Sequence, residues 1–550
     1  MGTARAFLIV REFLYFFSSF LKIARLVSRR AKNMKLIKNY KLGFLVLLAG
    51  ALTACNANGT KTAYLQDGGI NYYPPSVDYP TGPNQGNSKT NNGSTEQQTS
   101  MEGMAPDATM DNDVRMPIEN PFIDLNEVEA RTSNLSLTST SFAYTTIRQA
   151  INQSSIYRAR QMVKTEEMLN YFSYGYVNDT DDALTTHLEL GDCPWNAEHK
   201  LASVVVKAKP AVTENVKNNI VILIDRSGSM TGIFNLVKTS LNTMVDKLGD
   251  DDIVSIVSYA SGCSVEADGF KGSDKAKLRN VINGLTAGGS TWGEGGIEKA
   301  YEVAYKHFIS GGNNRVVILT DGDFNVGKVS GEELTKLIKQ KASDGVYLTC
   351  CGYRSYDNNT LYTLADNGNG NAYYIDCELE AKKVFEEELG KSLYVVAKDA
   401  KCQIEFSDAV ASYRLIGYES RQMSDDEFND EQKDAGEIMA DHTTVALYEL
   451  DVKDEYQDDN IFKTVLRYKD PISQENKEVV NKKVDASVSR QVDFDFASYV
   501  AEYSLILMQS KYKENASYDH LLERINNNAI NDKYRDDFVS LVRATRSLDK

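Results

Sequence analysis

The chain has 550 residues, of which 42% are hydrophobic and 25% are charged, as is ordinary for a globular protein. This composition excludes collagen, coiled coil and wholesale disorder as the main architecture, and the length predicts about three or four domains. The formal net charge of −16 is unevenly distributed. Residues 1–41 contain ten basic residues and one acidic residue, whereas the chain from residue 56 onward contains 51 basic and 76 acidic residues. This acidic body argues against nucleic-acid binding, which needs basic surface to neutralise phosphates.

The N-terminal segment has the pattern of a secretory signal. Three lysines between residues 35 and 41 precede the uncharged apolar run Leu42–Ala54. A basic segment followed by a short apolar segment predicts export, and the run is shorter than the roughly 20 residues that span a bilayer. It ends in Leu-Thr-Ala-Cys at residues 52–55, which resembles the lipobox of bacterial lipoproteins. We therefore expect cleavage before Cys55 and lipidation of Cys55; the alternative is an ordinary signal peptide with an incidental cysteine.

Residues 1–33 are basic and aromatic, and two interpretations apply to them. They form either a membrane-active amphipathic segment or an extension upstream of the true start at Met34. The second is favoured because the segment from Met34 already supplies a complete basic region. Asn56 after the lipidated cysteine fits delivery to the outer membrane. We therefore expect a lipid-anchored protein of the bacterial cell envelope, on the periplasmic or the surface face of that membrane.

The body of the chain divides by composition. Residues 56–117 are rich in Asn, Gly, Ser, Thr and Pro and have few apolar side chains, which predicts a flexible tether. Globular composition begins near residue 120. We divide the chain into an N-terminal extension with signal peptide (1–55), a linker (56–117), an N-terminal α+β region (118–212), a central domain (213–390) and a C-terminal region (391–550).

The two regions that flank the central domain have mixed patterns. In the first, Tyr144–Ile151 and Lys164–Phe172 are predicted to be short helices, and Leu201–Ala208 is predicted to be a strand. In the second, residues 395–490 are rich in strand patterns and residues 492–546 have helical patterns. We expect a β-sandwich followed by packing helices in this C-terminal region.

The central domain alternates short apolar strands with helices, which predicts an α/β fold with a doubly wound, mostly parallel sheet covered on both faces. The crossovers are expected to be right-handed, and the ligand site is expected at the carboxyl ends of the strands. The predicted strands are Ile220–Ile224, Ile253–Tyr259, Val316–Leu319, Val346–Cys351 and Ala372–Ile375. The predicted helices are Phe234–Leu248, Asp274–Leu285, Gly296–Phe308 and Glu332–Ala342.

Oxygen-bearing side chains follow three of these elements. The first strand runs into Asp225, Ser227 and Ser229, one carboxylate and two hydroxyls on alternate residues. A glycine-rich loop that ends at Thr291 adds a hydroxyl, and a third strand ends at Asp321. An oxygen-only set with two carboxylates suits a hard cation, Mg²⁺ best, with Mn²⁺ and Ca²⁺ as alternatives. A carboxylate from a partner protein can then complete the coordination shell.

These motifs, Asp-x-Ser-x-Ser, Gly-Gly-x-Thr and Thr-Asp-Gly in this order, resemble the von Willebrand factor type A (VWA) domain and its metal-ion-dependent adhesion site. The resemblance covers residues 217–390. It departs at Gly293, where many members have a second threonine; the implied metal ligands do not depend on that position, whereas the rigidity of the loop does. The resemblance implies hydroxyl ligands and carboxylates that bind directly or through water: Ser227, Ser229, Thr291, Asp225 and Asp321.

The flanking regions resemble a subfamily of bacterial lipoproteins, the YfbK-like proteins, and together with the VWA domain the likeness runs from about residue 120 to 546. This subfamily has no settled biochemical activity, so the resemblance implies an architecture more than a role. The segments that carry the likeness are Glu166–Phe172, Asp192–Asn196, Val396–Asp399, Tyr413–Glu419 and Asp434–Glu437.

The sequence contains no recognisable catalytic pattern. None of the five histidines has the spacing of a metalloprotease or of a catalytic triad, and no phosphate-binding Gly-x-x-x-x-Gly-Lys loop occurs. Six cysteines follow Cys55, none in a Cys-x-x-Cys motif, so one disulfide is an option that spacing does not assign. We therefore expect a non-enzymatic protein.

The main hypothesis is a membrane-anchored protein whose cation binds a partner protein through an acidic residue. One alternative is an envelope scaffold in which the metal only stabilises the loops, and a weaker one is a cell-envelope hydrolase in the C-terminal region. A further hypothesis is that the acidic loop Ser424–Glu437 supplies a carboxylate itself and masks the site.

Overall fold

The computed structural model describes residues 117–127, 131–210, 217–290, 293–322, 331–353, 359–388, 394–453, 461–471, 473–481, 484–485, 491–527 and 532–550. All of these residues belong to one unit that spans residues 108–550. The predicted signal peptide, Cys55, the linker up to residue 116 and Thr291 lie outside the described residues.

The strands are numbered in chain order. They are β1 (Ile123–Asp124), β2 (Thr132–Ser136), β3 (Leu184–Asp192), β4 (Lys200–Ala208), β5 (Asn218–Asp225), β6 (Ile253–Tyr259), β7 (Cys263–Lys271), β8 (Asn313–Thr320), β9 (Val346–Gly352), β10 (Ala372–Tyr374), β11 (Val395–Phe406), β12 (Val410–Ile416), β13 (Gln422–Met423), β14 (Gly436–Met439), β15 (Thr443–Val452), β16 (Phe462–Lys469), β17 (Asn476–Asn481) and β18 (Val484–Asp485).

The helices follow the same order. They are α1 (Phe142–Asn152), α2 (Ile156–Gln161), α3 (Thr165–Asn170), α4 (Phe234–Lys247), α5 (Lys275–Gly284), α6 (Gly293–Lys306), α7 (Gly331–Ser343), α8 (Asn359–Asn367), α9 (Glu378–Lys382, continued by a π-helical turn at Lys383–Glu388), α10 (Asp425–Asn429), α11 (Gln491–Leu507), α12 (Tyr518–Asn527) and α13 (Lys533–Leu548). A 3₁₀ turn occupies Gly228–Gly232.

The central domain is built on a sheet in the order β10-β9-β8-β5-β6-β7. Its strands are parallel except β7, which runs antiparallel to β6 at one edge. Alternate residues of β5 enter two separate cores: Ile222 packs with α4, α5 and α9, and Leu223 packs with α6, α7 and α8. A central strand is therefore apolar on both faces, which explains its continuous hydrophobic run. The predicted α/β class is confirmed.

One strand of this sheet was missing from the prediction. β7 alternates exposed and partly buried side chains, with only Ala267 fully buried. A strand at the edge of a sheet has one neighbour and a partly solvated surface, so its sequence lacks the apolar run that marked the other strands.

The N-terminal and C-terminal regions fold together rather than separately. They share one sheet in the order β1-β12-β15-β4-β3-β18 and a second in the order β13-β2-β11-β16-β17, with β14 paired to β11. The antiparallel pair β4 and β15 runs from Lys207 opposite Thr443 to Lys200 opposite Leu450. The predicted β-sandwich is present, but strands from both ends of the chain form it.

This shared body has three layers. The two sheets enclose one core, to which β4 contributes Ala202, Val204 and Val206. The alternate residues Leu201 and Val205 face the other way, into a second core with α1, α3, α11, α12 and α13. Because side chains of a strand alternate between faces, β4 has buried side chains on both of its sides. Helix α11 is also buried along nearly its whole length, because it lies between the sheet and the other helices.

None of the helices in the described part of the chain combines the length and the apolar character that crossing a bilayer requires. The six described cysteines are all free thiols, and four of them are buried: Cys193, Cys350, Cys351 and Cys402.

Candidate metal site

The predicted carboxylates meet at the carboxyl edge of the central sheet. β5 ends at Asp225 and its parallel neighbour β8 ends at Thr320, with Ile224 opposite Leu319 in the register. Asp321 therefore follows β8 at the same edge where Asp225 ends β5. Adjacent parallel strands bring their carboxyl ends together, as the sequence predicted.

Asp225 is fully buried and is held in one orientation by two hydrogen bonds. The main-chain N–H of Ser227 donates to its Oδ1 at 2.8 Å, and the Thr320 hydroxyl donates to its Oδ2 at 3.1 Å. Burial raises the pKa of the Asp225 carboxyl, and the nearby charge of Asp321 adds to this effect. A cation bound here would stabilise the charged carboxylate that burial disfavours.

The two serine hydroxyls of the first loop converge. The Ser227 Oγ lies 2.9 Å from the Ser229 Oγ, close enough to share a hydrogen bond. Ser227 is 2% exposed, whereas Ser229 faces solvent. Both are therefore positioned as neighbouring oxygen donors at the mouth of the site, one beneath the surface and one on it.

Asp321 supplies the observation that best fits a cation. It is 6% exposed, and its buried Oδ1 accepts no hydrogen bond from the described residues. A buried carboxylate oxygen without a hydrogen-bond partner destabilises the folded state, because it has lost its hydrogen bonds to water and formed none in their place. A hard cation coordinated by this oxygen would remove that cost, so the residues that are present fit the ion that the sequence predicts.

The glycine-rich loop that precedes Thr291 approaches the first loop through its main chain. The Gly288 N–H donates to the carbonyl oxygen of Arg226 at 2.7 Å, and the Gly228 N–H donates to that of Gly289 at 3.0 Å. Thr291, the predicted ligand of this loop, lies outside the described residues. Gly293, where the sequence departs from the family pattern, is the first residue of α6.

The described residues hold no group of three or more His, Cys, Asp or Glu side chains arranged around one metal position. The candidate site is therefore distinguished by hydroxyls that supplement two carboxylates. Such a donor set is hard and weakly charged, which suits Mg²⁺ better than a transition metal.

The acidic loop is engaged elsewhere. Asp425 accepts hydrogen bonds from Thr132, Asn134 and Gln403 on the second sheet of the sandwich. Glu427 closes a capping box at the start of α10 and pairs with Lys433. These contacts do not support the hypothesis that this loop masks the metal site.

Two polar residues that support Asp225 were not predicted as part of the site. Thr320 was noted only as part of a motif, yet its hydroxyl bonds the carboxylate. Tyr259, at the end of β6, is fully buried beside Asp225, and burial together with that carboxylate raises the pKa of its phenol well above the usual value. The position of Tyr259 in the sequence could have identified it as part of the site, because it ends a predicted strand at the edge of the sheet where ligands are expected.

Comparisons with known proteins find similarities over several parts of the chain. The profile of the von Willebrand factor type A domain matches residues 219–387, that of the C-terminal region of "Uncharacterized protein YfbK" matches residues 391–548, and one named "von Willebrand factor" matches residues 110–203. A mouse calcium channel subunit, alpha-2/delta-2, is 26% identical over 235 residues, which cover 39% of this chain and 19% of that protein. A solved VWA structure from Catenulispora acidiphila has 15% identity and a TM-score of 0.35, covering 67% of this chain and 92% of that one.

The relative with the broadest coverage among these is YfbK of Escherichia coli K12. It is 33% identical over 466 residues, which cover 78% of this chain and 79% of that protein. The match extends well beyond the VWA domain into the regions that form the shared sandwich. The chain therefore belongs to the YfbK family, with a von Willebrand factor type A domain at its centre.

Proposed function

We propose that the VWA domain binds Mg²⁺ and uses it to bind a partner protein through an aspartate or glutamate of that partner. The ligands are Asp225, Ser227, Ser229, Thr291 and Asp321. The observation that carries the proposal is the buried Oδ1 of Asp321, which has no hydrogen bond among the described residues although it lies beside the buried Asp225.

The charge balance supports an acidic partner. Two carboxylates neutralise a divalent cation and leave little excess negative charge, so one more carboxylate is accepted favourably. From residue 56 onward the chain carries a net charge of −25, which repels an acidic partner in general. The cation would supply local positive charge, and the residues of this chain would orient it toward an incoming side chain.

Calorimetry with Mg²⁺ on the full chain tests the site. The wild-type protein should bind the ion, and Asp225→Ala should abolish binding while the circular dichroism spectrum stays unchanged. Asp251→Ala is a matched control, because Asp251 precedes β6 at the opposite edge of the sheet and is exposed, where it pairs with Lys217. Unchanged Mg²⁺ binding by Asp225→Ala would refute the site.

The partner is identified by its dependence on the cation. A pull-down from envelope extracts in Mg²⁺ and in EDTA, repeated with Asp225→Ala, should recover the partner only from the wild type in Mg²⁺. The scaffold alternative, in which the ion merely stabilises the loops, predicts that EDTA lowers the melting temperature and releases no protein. Membership of a VWA family favours a binding protein over a hydrolase, for which the sequence holds no catalytic pattern.

We also propose that the chain is exported and anchored in the outer membrane through a lipid on Cys55, with residues 56–117 as the tether. The supporting observation is the basic segment, the short apolar run and the Leu-Thr-Ala-Cys ending in the sequence. Labelling of cells with a radioactive fatty acid should mark the wild-type protein and leave Cys55→Ala unlabelled. The mass of the unprocessed Cys55→Ala chain distinguishes a start at Met1 from a start at Met34.

A further inference from the structure

The side chain of Arg226 connects the first loop of the candidate site to three neighbouring segments. Its Nε donates to the carbonyl oxygen of Thr286 at 2.8 Å. Its Nη1 donates to Glu266 Oε1 on β7 at 3.1 Å and to Ser258 Oγ on β6 at 3.3 Å. The Ser258 hydroxyl in turn donates to the same Glu266 oxygen at 2.7 Å. The guanidinium is therefore held in one orientation, and in that orientation it binds Thr286 at the start of the segment that precedes Thr291.

The segment 286–290, which we call the tethered loop, is held at both ends. Near its start, Arg226 accepts from the Gly288 N–H through its carbonyl and donates to Thr286 through its side chain. At its end, the Ser290 N–H and hydroxyl both donate to the Ser261 Oγ at 3.1 Å. The tethered loop stops one residue before Thr291, which the proposed function assigns as a ligand. These contacts therefore fix the main chain up to Ser290.

The tethered loop has little conformational preference of its own. Gly288 and Gly289 adopt φ angles of 149° and 108°, a region that glycine populates readily among many others. Two successive glycines lose much conformational entropy when they are ordered. The observed geometry therefore depends on hydrogen bonds from outside the loop, of which the one from the Arg226 guanidinium to Thr286 is charge-assisted.

Arg226 cannot itself bind a cation. A guanidinium has five donors and no acceptor, and its positive charge would repel the ion. Glu266 offsets that charge through the ion pair at 3.1 Å, with the two side chains 27% and 23% exposed. The pair is therefore compatible with a cation site next to it.

We propose that Arg226 is a positioning residue of the metal site, which holds the tethered loop in place before the cation arrives. This inference rests on the proposed function for its link to Mg²⁺. The tethering itself concerns the loop in the metal-free protein and is measured independently.

Two measurements on the full chain test the proposal, with Arg226→Ala and Arg226→Lys as variants. Removal of a residue that orients a metal ligand typically weakens metal affinity by about 10–100-fold, and we expect this for Arg226→Ala by calorimetry with Mg²⁺. Lysine keeps the charge but lacks the rigid fork that reaches Thr286 and Glu266 together, so it should not restore the affinity. Arg279→Ala removes an arginine of α5 that pairs with Asp246, and it should leave the affinity unchanged.

The second measurement is hydrogen exchange of peptides covering residues 286–290 without metal. Exchange should be faster in Arg226→Ala and in Arg226→Lys than in the wild type, and unchanged in Arg279→Ala. If Arg226→Ala does not fold, the lysine variant answers the same question because it keeps the charge and the aliphatic stem.

The proposal would be overturned if both Arg226 variants showed the hydrogen exchange and the Mg²⁺ affinity of the wild type. It would also be overturned if Arg226→Lys alone behaved like the wild type, because a positive charge would then be sufficient to hold the loop. If the wild type binds no Mg²⁺, the proposed function fails and the metal part of this inference fails with it. Faster exchange limited to the Arg226 variants would still establish the tether in that case.

Discussion

The guanidinium of Arg148 donates to both carboxylate oxygens of Asp376, from Nε at 2.8 Å and from Nη2 at 2.5 Å. Arg148 lies on α1 in the N-terminal region, and Asp376 lies two residues after β10 in the VWA domain. The same guanidinium pairs with Glu380 on α9 and with Asp537 on α13. One buried cation thus joins the N-terminal region, the VWA domain and the C-terminal helices, so the VWA domain is attached through a specific polar contact.

Arg148→Met should lower the free energy of unfolding by about 3–5 kcal/mol, because it leaves the buried carboxylates of Asp376 and Glu380 without their cation. Urea denaturation measures this. Arg546→Met is the matched control: its pair with Asp519 is half-exposed or more on both sides, and its loss should cost less than about 1 kcal/mol. Equal costs for the two variants would show that the Arg148 network contributes no more than a surface pair.

Gly289→Ala should destabilise the protein by about 1–3 kcal/mol, because an L residue is strained at φ 108° and its Cβ would lie 2.9 Å from the Ser261 Oγ. We also expect weaker Mg²⁺ binding, since the tethered loop would shift. Gly262→Ala in the adjacent loop is the control, because a Cβ there meets nothing within 4 Å. Thermal unfolding and calorimetry compare the two variants, and similar behaviour of both would contradict the role assigned to Gly289.

Glu437 should make stability depend on pH. Burial raises the pKa of its carboxyl from the usual 4.5 to about 7, despite the opposing charge of Lys398. A raised folded-state pKa means that the favourable contribution is fully present below about pH 4.5 and is lost as the pH rises through about 7. Relative to Glu437→Gln, the wild type should therefore lose up to about 3 kcal/mol between pH 4.5 and pH 8.

Denaturation of both proteins at the two pH values measures this loss. Glu302→Gln is the control, because Glu302 is 69% exposed on α6. In this variant the free energy of unfolding should change between the two pH values by as much as it does in the wild type. A Glu437→Gln profile parallel to that of the wild type would contradict the prediction.

Trp195→Phe should cost about 2–4 kcal/mol. The indole is fully buried, and its Nε1 donates to Glu449 Oε2 at 3.1 Å, so the variant leaves both a cavity and a lost hydrogen bond. Tyr157→Phe changes an exposed aromatic residue on α2 and should stay within about 0.5 kcal/mol. A cost for Trp195→Phe no larger than that of the control would mean that the Asp192–Asn196 segment does not stabilise the shared body.

Much of the central domain was predictable because its signals are local. The apolar run Ile220–Ile224 predicted a strand that spans Asn218–Asp225, and the helix expected at Phe234–Leu248 ends one residue earlier. Asp225 and Asp321 were expected at one edge because parallel strands end together, and the structure places them there. The metal itself and the role of Thr291 stay predictions.

Other features depended on partners that are remote in the chain. Glu449 receives hydrogen bonds from Trp195 and from Arg414, residues that the sequence showed only as parts of separate segments. The charge of the acidic loop Ser424–Glu437 predicts a possible metal ligand, whereas the fold uses Asp425 of this loop to receive hydrogen bonds from β2 and β11. Charge and residue type do not reveal which donor a carboxylate will meet.

The sequence by itself determined the α/β class of the central domain, the family and the edge of the sheet where the oxygen-bearing side chains gather. Hydrophobic periodicity reports how each short segment is buried, and a motif at a strand end reports chemistry whose position follows from that strand. Only the tertiary structure decided that β4 pairs with β15, and that Arg148 reaches Asp376. Such long-range pairings are selected by the packing energy of the whole body, because each strand alone has an apolar face that fits many partners.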